Sequence, residues 1–516
     1  MHYLPMSGRW LMRYRRSVFD AARNHAAAGA SHSLAVASER FDMTLVNVDG
    51  WSRQMIGDDL QSAMPDKVSL PGDDTYRRAR EIWNGAVDRH PALFVHCETS
   101  ADVQAAVRAA RAHRLPLSIR GGGHDWAGRA LCDDGLVIDL SAMRRVEVDA
   151  TTRTATVAGG ARAIDVANAA TGHGLAAVTG NCGTVGMAGL TLGGGYGPLS
   201  PRHGLALDNL LAADVVLADG RCVVADPINH PDLFWALRGG GGNFGVVTSM
   251  RICLHPIRNL LAGLILFPWS EAVTVFGRYA ELMAAAPDEL AVTAGILSAQ
   301  DGSAVLFLAP CWSGPPNQGE QYMTTLLGLG TPVLAQIGLM TGSELISMFD
   351  AHVVSGRHYA IQTRWLAELT PDVIAWLIAA GSERTSPFSA IVLHHFHGIG
   401  TRRVANATAF GLRQEHYLVE IIAAWDPDRQ VDDAIHRQWA QSLSQVLAPF
   451  ALPGGYPNLL GPDQHEQIEH AYGGNALRLL RMKRRFDPEG IFASAIALPA
   501  EGERHQGVTR SGAVGL

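Results

Sequence analysis

The sequence of 516 residues lacks the signatures of several common protein classes. Its six cysteines form no C-x-x-C pair, so it signals neither a zinc site nor a disulfide framework. No G-x-S-x-G or Walker A segment is present, which leaves serine hydrolases and P-loop enzymes without support. No lysine- or arginine-rich patch dominates and the formal net charge is −7, so we do not expect nucleic acid as a partner.

Long apolar runs are also missing. The longest, Leu260 to Trp269, is far too short to cross a bilayer, so no membrane span is expected. Hydrophobic residues make up 47% and charged residues 18% of the chain, a composition typical of a globular protein with a large core. The length predicts two or more domains. The scattered cysteines fit a reducing compartment, and we expect a cytoplasmic protein.

Residues 1–60 differ in composition from the rest. The segment Tyr14-Arg15-Arg16-Ser17, with Ala-Val-Ala at 35–37 as a cleavage site, resembles a twin-arginine export signal. No uninterrupted apolar segment follows these arginines, however. We therefore interpret residues 1–60 as an N-terminal extension that is disordered, and keep export through a twin-arginine signal as the alternative localisation.

Two glycine-rich stretches each carry one side chain with chemistry. Gly180 to Gly197 reads GNCGTVGMAGLTLGGGYG, in which eight of eighteen residues are glycine and Cys182 is the lone cysteine. Upstream, Arg120 to Gly128 reads RGGGHDWAG and carries His124. Such bare backbone can approach a flat ligand closely, and its N–H groups can bind phosphate or carbonyl oxygens. One such loop alone is often only a packing device, but the pair favours a cofactor site.

The two stretches together resemble the berberine-bridge-enzyme-like branch of the vanillyl-alcohol-oxidase flavoproteins, whose FAD-binding domain is of the PCMH type. In that family the histidine of R-[SG]-G-G-H is bonded to the 8α carbon of FAD. The cysteine of G-x-C-x-x-V-G-x-x-G-x-x-x-G-G-G-[YF]-G is bonded to C6. The resemblance therefore implies FAD attached covalently to both His124 and Cys182. It extends through Pro231–Thr248 and Tyr472–Phe492, and covers most of the chain from about Val68 to Pro499.

Carried over residue by residue, the resemblance implies further contacts with FAD in the same loops and in the segment around Gly245. The implied cofactor-binding residues are His124, Cys182, Arg120, Gly121, Gly122, Gly123, Gly183, Thr184, Val185, Gly186, Gly189, Gly193, Gly194, Gly195, Asn243, Gly245 and Val247. No metal is expected.

The alternation of short strands and helices predicts an α+β fold. The resemblance implies a PCMH-type FAD-binding domain of two subdomains, plus a substrate domain with a mainly antiparallel sheet covered by helices. We assign residues 61–258 to the first part of the FAD-binding domain and 259–453 to the substrate domain. Residues 454–500 return to the FAD-binding domain, and 501–516 form a polar tail, disordered in this interpretation.

Hydrophobic periodicity and capping residues predict individual elements. Helices are predicted over Asp73–Arg89, Asp102–His113 (capped by Ser100), Ala163–Thr171, Pro371–Ala380 and Asp433–Leu447. Strands are predicted over residues 93–98, 115–120, 136–141, 146–150, 154–160, 304–310, 390–396 and 416–425, with a hairpin at Asp219-Gly220 within 210–225. The second glycine-rich stretch is predicted to be a loop.

Gly240, Gly242 and Gly245 satisfy the dinucleotide fingerprint G-x-G-x-x-G, which would suggest an NAD-dependent dehydrogenase. That fingerprint must follow a strand and open a helix. Here it follows a predicted helix, LFWALR, and opens a predicted strand, VVTSMRI. The order is reversed, so an NAD site of this kind is disfavoured, and the resemblance instead implies that the segment lines the flavin.

The catalytic residues are less determined. In the resembled family a tyrosine at the place of Tyr196 reaches the substrate in several oxidases, although it also occurs simply packed over the flavin. The family's Y-x-N-[YF] motif, whose last aromatic residue is often the catalytic tyrosine, reads Tyr456-Pro457-Asn458-Leu459 here. Leu459 cannot accept a proton, so either another group is the base or the reaction needs none.

The candidate catalytic residues are Tyr196, Glu420 and Tyr456. Glu420 lies inside the apolar strand YLVEIIAAW, where an acid is costly unless it is used or paired; a paired structural role is the other interpretation. His394, His395 and His397 are further candidates, and strand alternation places His395 and His397 on one face and His394 on the other. No carboxylate or cysteine nearby completes a metal-ligand set with them. Arg202 and Arg238 are candidate cations that could lower the pKa of Tyr196, but the sequence does not place them.

The sequence therefore predicts an FAD-dependent oxidoreductase that transfers a hydride from a hydroxyl- or amine-bearing carbon of a small molecule to the flavin. Candidate substrates are a secondary metabolite, an aromatic alcohol or a carbohydrate. Val185 occupies a place where the family's oxidases often have valine and its dehydrogenases leucine, which favours reoxidation by O2 with release of H2O2. The alternatives are a dehydrogenase with another electron acceptor and, because of Leu459, a flavin-binding protein of reduced activity.

Overall fold

The computed structural model describes residues 60–62, 64–427 and 432–499, all within one compact unit that begins at Arg53. The predictions for the N-terminal extension and the C-terminal tail concern residues outside these ranges, apart from Leu60. Within the described ranges no helix has both the length and the apolar character needed to cross a bilayer.

In the described ranges, seventeen strands form three sheets. The strands are β1 (Val68–Ser69), β2 (Leu93–His96), β3 (Leu117–Arg120), β4 (Leu136–Asp139), β5 (Val146–Asp149), β6 (Thr154–Ala158), β7 (Ala176–Ala177), β8 (Leu210–Val216), β9 (Cys222–Ala225), β10 (Val246–His255), β11 (Leu260–Pro268), β12 (Leu290–Ser298), β13 (Ala304–Trp312), β14 (Leu334–Met340), β15 (His358–Leu366), β16 (Ala390–Phe396) and β17 (His416–Trp425).

Thirteen α-helices of four or more residues accompany them in the described part of the chain. They are α1 (Asp74–Arg80), α2 (Ser100–Ala112), α3 (Ala163–Thr171), α4 (Met187–Gly193), α5 (Ser200–His203), α6 (Pro231–Leu237), α7 (Ala272–Met283), α8 (Pro316–Leu327), α9 (Gly342–Ile346), α10 (Pro371–Ser382), α11 (Asp433–Leu447), α12 (His465–His470) and α13 (Ala476–Phe486).

The first two sheets carry the glycine-rich loops. The four-stranded sheet has the order β1-β2-β4-β3, and its β2, β4 and β3 are parallel, so the loop after β3 leaves from the carboxyl edge with His124 in it. The six-stranded sheet has the order β5-β6-β10-β8-β9, with β7 paired to β10, and is antiparallel. The cysteine-bearing stretch runs between its β7 and β8.

The third sheet is a seven-stranded antiparallel layer with the order β14-β11-β13-β12-β16-β17-β15. Its helices α7, α10 and α11 pack together and against strands of the sheet, around a buried apolar cluster that includes Phe276, Leu377 and Leu443. The opposite face is therefore free to face the glycine-rich loops. The mixture of helices and largely antiparallel sheets confirms the α+β prediction.

Several predicted elements match the structure to the residue, among them Ala163–Thr171, Ala390–Phe396, His416–Trp425 and Asp433–Leu447. Their boundaries coincide with changes in hydrophobic period or with turn residues, which act locally. The hairpin at Asp219-Gly220 is also confirmed, because β8 and β9 pair antiparallel.

Other predictions were wrong in extent. The helix predicted over Asp73–Arg89 ends at Arg80, because the chain turns so that Trp83 N–H can donate to the carbonyl of Gly123 at 2.9 Å. The cap of α2 is Thr99 rather than Ser100, since the Thr99 hydroxyl accepts from Asp102 N–H at 3.2 Å. The second glycine-rich stretch is not all loop; Met187–Gly193 is helical.

Candidate active site

A cavity of about 980 Å³ lies between the glycine-rich loops and the free face of the seven-stranded sheet. Both loops contribute to its lining, as do His124 and Cys182. Eight further predicted cofactor-binding residues line the cavity, namely Gly121, Gly122, Gly123, Val185, Gly186, Gly189, Gly245 and Val247. A cavity of this size and apolar lining is typical of a site for a cofactor or small molecule.

The two glycine-rich loops are packed backbone to backbone. A Cβ at Gly122 would lie 2.3 Å from the backbone nitrogen of Gly186, and a Cβ at Gly186 would lie 2.6 Å from that of Gly122. Neither position can hold a side chain unless the loops separate. By contrast, a Cβ at Gly189 or Gly242, which both line the cavity, would meet no atom within 4 Å. The bare backbone there leaves room for a flat ring system, so these residues fit FAD.

One hydroxyl contacts both predicted attachment residues. The Thr184 Oγ1 atom lies 2.7 Å from His124 Nε2 and 3.1 Å from Cys182 Sγ. The loop that holds Thr184 is fixed to the start of α3, where Ala163 N–H donates to the carbonyl of Val185 and Ile164 N–H to that of Gly183, both at 2.9 Å. His124 and Cys182 are thus brought to one place, 58 positions apart in sequence.

The His124 ring is held in a stack. Its ring centroid lies 4.8 Å from that of Trp83, which stacks in turn on Tyr359 at 3.8 Å. Burial, assisted by the charge of Arg162, lowers the pKa of His124 to about 4, so the ring is neutral at pH 7. A neutral imidazole offers one nitrogen lone pair, which bonding to a carbon requires.

Seven predicted cofactor-binding residues lie behind the cavity lining rather than in it. They are Arg120, Gly183, Thr184, Gly193, Gly194, Gly195 and Asn243. Two of them form hydrogen bonds that hold the surrounding structure together. Arg120 donates to Asp139 at 3.0 Å, and Asn243 Nδ2 donates to two backbone carbonyls at 2.8 Å. The expectation that these seven contact FAD stays a prediction.

The sheet face above the cavity presents a single carboxylate, that of Glu420, among its described lining residues. His394 Nε2 lies 3.3 Å from Glu420 Oε1, and Asn181 Nδ2 lies 3.2 Å from His394 Nδ1. Because an amide nitrogen only donates, Nδ1 accepts and Nε2 carries the proton that faces Glu420. Asn181, adjacent to Cys182, thereby fixes the tautomer of His394.

Tyr196 lines the same cavity, but its hydroxyl already donates a hydrogen bond to another side chain. His416 Nδ1 lies 2.8 Å from the carbonyl of Gln414 and must donate to it, so His416 Nε2 accepts from the Tyr196 hydroxyl at 2.8 Å. Burial lowers the pKa of His416 to about 3 and raises that of Tyr196 well above its ordinary value. Tyr196 is therefore a neutral donor at ordinary pH.

Tyr456 is arranged differently. Its hydroxyl accepts from Gly195 N–H at 2.8 Å and from Asn458 Nδ2 at 2.9 Å. Burial raises the pKa of Tyr456 to about 12. Since both contacts are accepted, its own hydrogen is left for another acceptor in the cavity, which Tyr456 lines. Leu459, the departure from the family motif, lines the cavity as well, and its carbonyl accepts from Trp126 Nε1 at 2.9 Å.

The remaining candidates lie elsewhere. His395 and His397 stack on each other at 4.5 Å on the face opposite His394, as strand alternation predicted, and neither lines the cavity. Arg202 donates to the carbonyl of Ser313, and Arg238 stacks over the Phe234 ring at 4.1 Å. Neither arginine is a partner of Tyr196, whose partner is His416.

The structure confirms that the dinucleotide-like fingerprint stands in the reversed order, after a helix and before a strand. Gly240, Gly242 and Gly245 follow the helix α6 and lead into the strand β10, and Gly242 and Gly245 line the cavity.

Comparison with known proteins decides the family. A sequence profile described as an FAD binding domain matches residues 91–226. An FAD-linked oxidoreductase of Bacillus subtilis, YvdP, is 30% identical over 443 residues, which are 84% of this chain and 98% of that protein. The chain belongs to the FAD-linked oxidoreductases. As a member of this family it is an FAD-dependent oxidoreductase with a PCMH-type FAD-binding domain, and the resemblance to the berberine-bridge-like branch is confirmed.

Two solved structures share the fold of this FAD-linked oxidoreductase. A crystal structure of 6-hydroxy-D-nicotine oxidase from Arthrobacter nicotinovorans superposes with a TM-score of 0.73 at 27% identity, over 84% of this chain and 97% of that one. Berberine bridge enzyme, at 21% identity, shares the fold with a TM-score of 0.78 over 87% of this chain and 100% of that one.

The sequence did not single out some residues of the FAD-linked oxidoreductase that the structure brings into the site. Trp83 contacts His124 and Asn181 contacts His394, while Tyr359 stacks on Trp83 and His416 is the partner of Tyr196. Asn181 could have been found from its position beside Cys182. The others carry no local signal, because their partners lie far away in the chain.

Proposed function

We propose that this FAD-linked oxidoreductase is an oxidase of small, largely apolar aromatic alcohols or amines, with FAD attached to His124 and Cys182. The observation that carries the proposal is the shared cavity. It joins both reactive side chains of the glycine-rich loops to the only carboxylate on the described, cavity-lining face of the sheet. FAD, when bound, supplies the two-electron acceptor for the substrate carbon.

The attachment is supported by the geometry of the two side chains. His124 and Cys182 both contact Thr184 Oγ1, so one small region of a bound ring could meet both. The backbone beside them is bare at Gly189, where a side chain would meet no atom within 4 Å. Two attachments would hold the ring rigidly and leave the space below the sheet for substrate.

Glu420 is the best-placed base. It is ionisable, it lines the cavity, and its Oε1 lies 3.3 Å from His394 Nε2. Tyr196 donates its hydrogen to His416, and the pKa of Tyr456 is raised to about 12, so neither tyrosine takes up a proton readily at pH 7. In this proposal Glu420 accepts the proton of the substrate O–H or N–H, and Tyr456 donates a hydrogen bond that orients the substrate.

The lining favours an apolar aromatic substrate over a carbohydrate. The sheet face contributes mostly hydrophobic side chains, namely Leu297, Phe307, Tyr359, Ile361, Val392 and Ile422. Among the other charged lining side chains, Arg129 is paired with Asp125 at 2.6 Å and Arg357 with Asp426 at 2.8 Å, and Asp301, in the turn after β12, accepts from the Ser303 hydroxyl at 2.6 Å. A carbohydrate needs several free polar partners when it is buried, whereas an aromatic alcohol or amine needs few.

Reoxidation by O2 is the remaining part of the proposal. Val185, at the position where the family's oxidases often have valine, lines the cavity. The test is to mix the purified protein anaerobically with a panel of aromatic alcohols, aromatic amines and oligosaccharides, follow bleaching of the flavin colour, and then admit air.

We expect bleaching by an aromatic alcohol or amine, followed by return of the colour with one H2O2 per turnover. Colour that returns only with an added electron acceptor would make the protein a dehydrogenase. Bleaching by oligosaccharides alone would contradict the substrate class. No bleaching by any compound would favour a flavin-binding protein of reduced activity.

A further inference from the structure

The Thr184 hydroxyl contacts His124 Nε2 at 2.7 Å and Cys182 Sγ at 3.1 Å. A hydroxyl carries one hydrogen and so can donate to only one of these partners; the other must donate to it. Because the three atoms form one chain, the position of a proton on the histidine is linked to the position of a proton on the cysteine.

Two arrangements of this chain are possible. In the first, the Cys182 thiol donates to Thr184, and Thr184 donates to His124 Nε2, which places the ring's hydrogen on Nδ1. In the second, His124 Nε2–H donates to Thr184, and Thr184 donates to the sulfur. Only the second leaves Nδ1 with a lone pair and gives the sulfur a donor that stabilises its thiolate.

The surroundings favour use of Nδ1. In the described part of the chain no hydrogen bond to His124 Nδ1 is formed, whereas Nε2 is engaged by Thr184. The plane of the His124 ring is held against Trp83, with 4.8 Å between centroids and 18° between planes. The nitrogen that can bond to a carbon in the cavity is therefore Nδ1.

The sulfur has further donors on the same loop. Burial raises the pKa of Cys182, while the Thr184 hydroxyl and the backbone N–H groups of Thr184 and Val185 act in the opposite direction. Thr184 is itself held in place, since Ala163 and Ile164 fix the carbonyls on either side of it at 2.9 Å. The hydrogen bonds to α3 therefore hold the backbone on both sides of Thr184, and with it the Thr184 hydroxyl, in one position.

We infer that Thr184 is a positioning residue that prepares both attachment side chains at once, holding the hydrogen of His124 on Nε2 and donating its own to Cys182. This inference rests on the proposed double attachment of FAD. Each attachment breaks one side-chain N–H or S–H bond and one flavin C–H bond and forms one N–C or S–C bond. The two protons and two electrons released are taken up by O2 as H2O2.

The test compares Thr184→Val, which keeps the shape but loses the hydroxyl, with Thr184→Ser, which keeps the hydroxyl. Total FAD is measured in each purified protein before denaturation, and the doubly attached fraction is measured by mass spectrometry of flavin-bearing peptides. We expect Thr184→Val to bind FAD while its doubly attached fraction falls about tenfold, and Thr184→Ser to stay close to the wild-type fraction.

An unchanged doubly attached fraction in Thr184→Val would overturn the inference and leave the double attachment intact. A fall in both variants alike would also overturn it, because loss of the methyl group rather than of the hydroxyl would then be responsible. Wild-type protein without any attached flavin would overturn the proposed attachment and this inference with it. If Thr184→Val fails to fold, Thr184→Ala is measured against Thr184→Ser with the same readout and the same expectations.

Discussion

Among single residues, Glu420 and Tyr196 line the same cavity yet differ in what their polar atoms do. Glu420 Oε1 lies 3.3 Å from His394 Nε2, whereas Tyr196 gives its hydrogen to the buried ring of His416. The first arrangement leaves a carboxylate that can accept a proton. The second is a buried donor–acceptor pair whose loss affects stability more than chemistry.

Glu420→Gln tests the proposed base. Glutamine keeps the size and the contact with His394 but cannot accept a proton, so we expect the rate of flavin reduction by substrate to fall by about 10²–10⁴. The FAD content and the flavin spectrum of the variant should match those of the wild type. Anaerobic stopped-flow reduction of the flavin measures the effect.

Tyr196→Phe is the matched control for this prediction. It leaves His416 Nε2 without a donor, so we expect the free energy of unfolding to fall by about 1–3 kcal/mol while flavin reduction slows by less than about tenfold. A slower reduction in Tyr196→Phe than in Glu420→Gln would show that the roles of the two residues are the reverse of those assigned here.

These two roles could not be separated from the sequence. Tyr196 was a candidate because of its place in the glycine-rich stretch, and Glu420 because an acid interrupts an apolar strand. The partner of Tyr196 lies 220 positions away, and that of Glu420 lies on the neighbouring strand β16. Only the register of the sheet, in which Glu420 pairs with Val392, places His394 diagonally beside it.

At the scale of elements, the two glycine-rich loops form one unit through the contact of Gly122 with Gly186. A Cβ at Gly122 would lie 2.3 Å from the backbone nitrogen of Gly186, which cannot move without displacing the second loop. The carbonyls of Gly183 and Val185 are bound to α3, which restricts the loop further. The loops must therefore shift together if either gains a side chain.

Gly122→Ala is accordingly expected to lower both the melting temperature and the FAD content of the purified protein. The matched control is Gly277→Ala in α7, where a Cβ would meet no atom within 4 Å, and where alanine should stabilise the helix by up to about 1 kcal/mol. Differential scanning fluorimetry and the ratio of flavin to protein absorbance give the two readouts. A Gly122→Ala protein with wild-type melting temperature and FAD content would contradict the close packing of the loops.

Elements with strong local signals were predictable. The strand His416–Trp425 and the helix Ala163–Thr171 were placed correctly because apolar period and turn residues define them without help from the rest of the fold. Residues 81–89 were assigned to a helix, yet they leave it so that Trp83 can reach Gly123 and stack on His124. The helix Met187–Gly193 was missed because its glycines oppose helix formation locally and tertiary contacts override them.

At the scale of the whole molecule, several histidines are buried in the neutral form. Burial is the largest cause of their lowered pKa. The pKa is about 4 for His124, His255, His395 and His397, and about 3 for His203 and His416. An unfolded histidine has a pKa near 6.5, so in mildly acidic solution the unfolded chain binds more protons than the folded one.

The sign of the effect follows directly. These histidines contribute stability that is fully present above pH 6.5 and is lost as the pH falls towards 4, by up to about 1.4 kcal/mol per pH unit for each histidine. We expect the melting temperature to fall steadily between pH 6.5 and 4.5, with uptake of protons on unfolding. A melting temperature that stays constant over this range would show that the histidines are not buried as described.

The layered arrangement of the molecule was predictable in outline. The α+β class and the antiparallel sheet over the cofactor domain follow from the alternation of elements and from the resemblance of two short motifs. The cavity that these layers enclose was not predictable, since its volume depends on how the sheet face meets the loops. The proposed function depends on that meeting, because it brings Glu420 over the loops that carry His124 and Cys182.

The measurement that tests the central claim most directly is the visible spectrum of acid-precipitated, redissolved protein from the wild type, His124→Ala, Cys182→Ala and the double variant. The account predicts flavin colour that stays with the precipitate in the wild type and in each single variant, and is lost only in the double variant. Colour released into the supernatant from the wild type would contradict the attachment of FAD to both side chains.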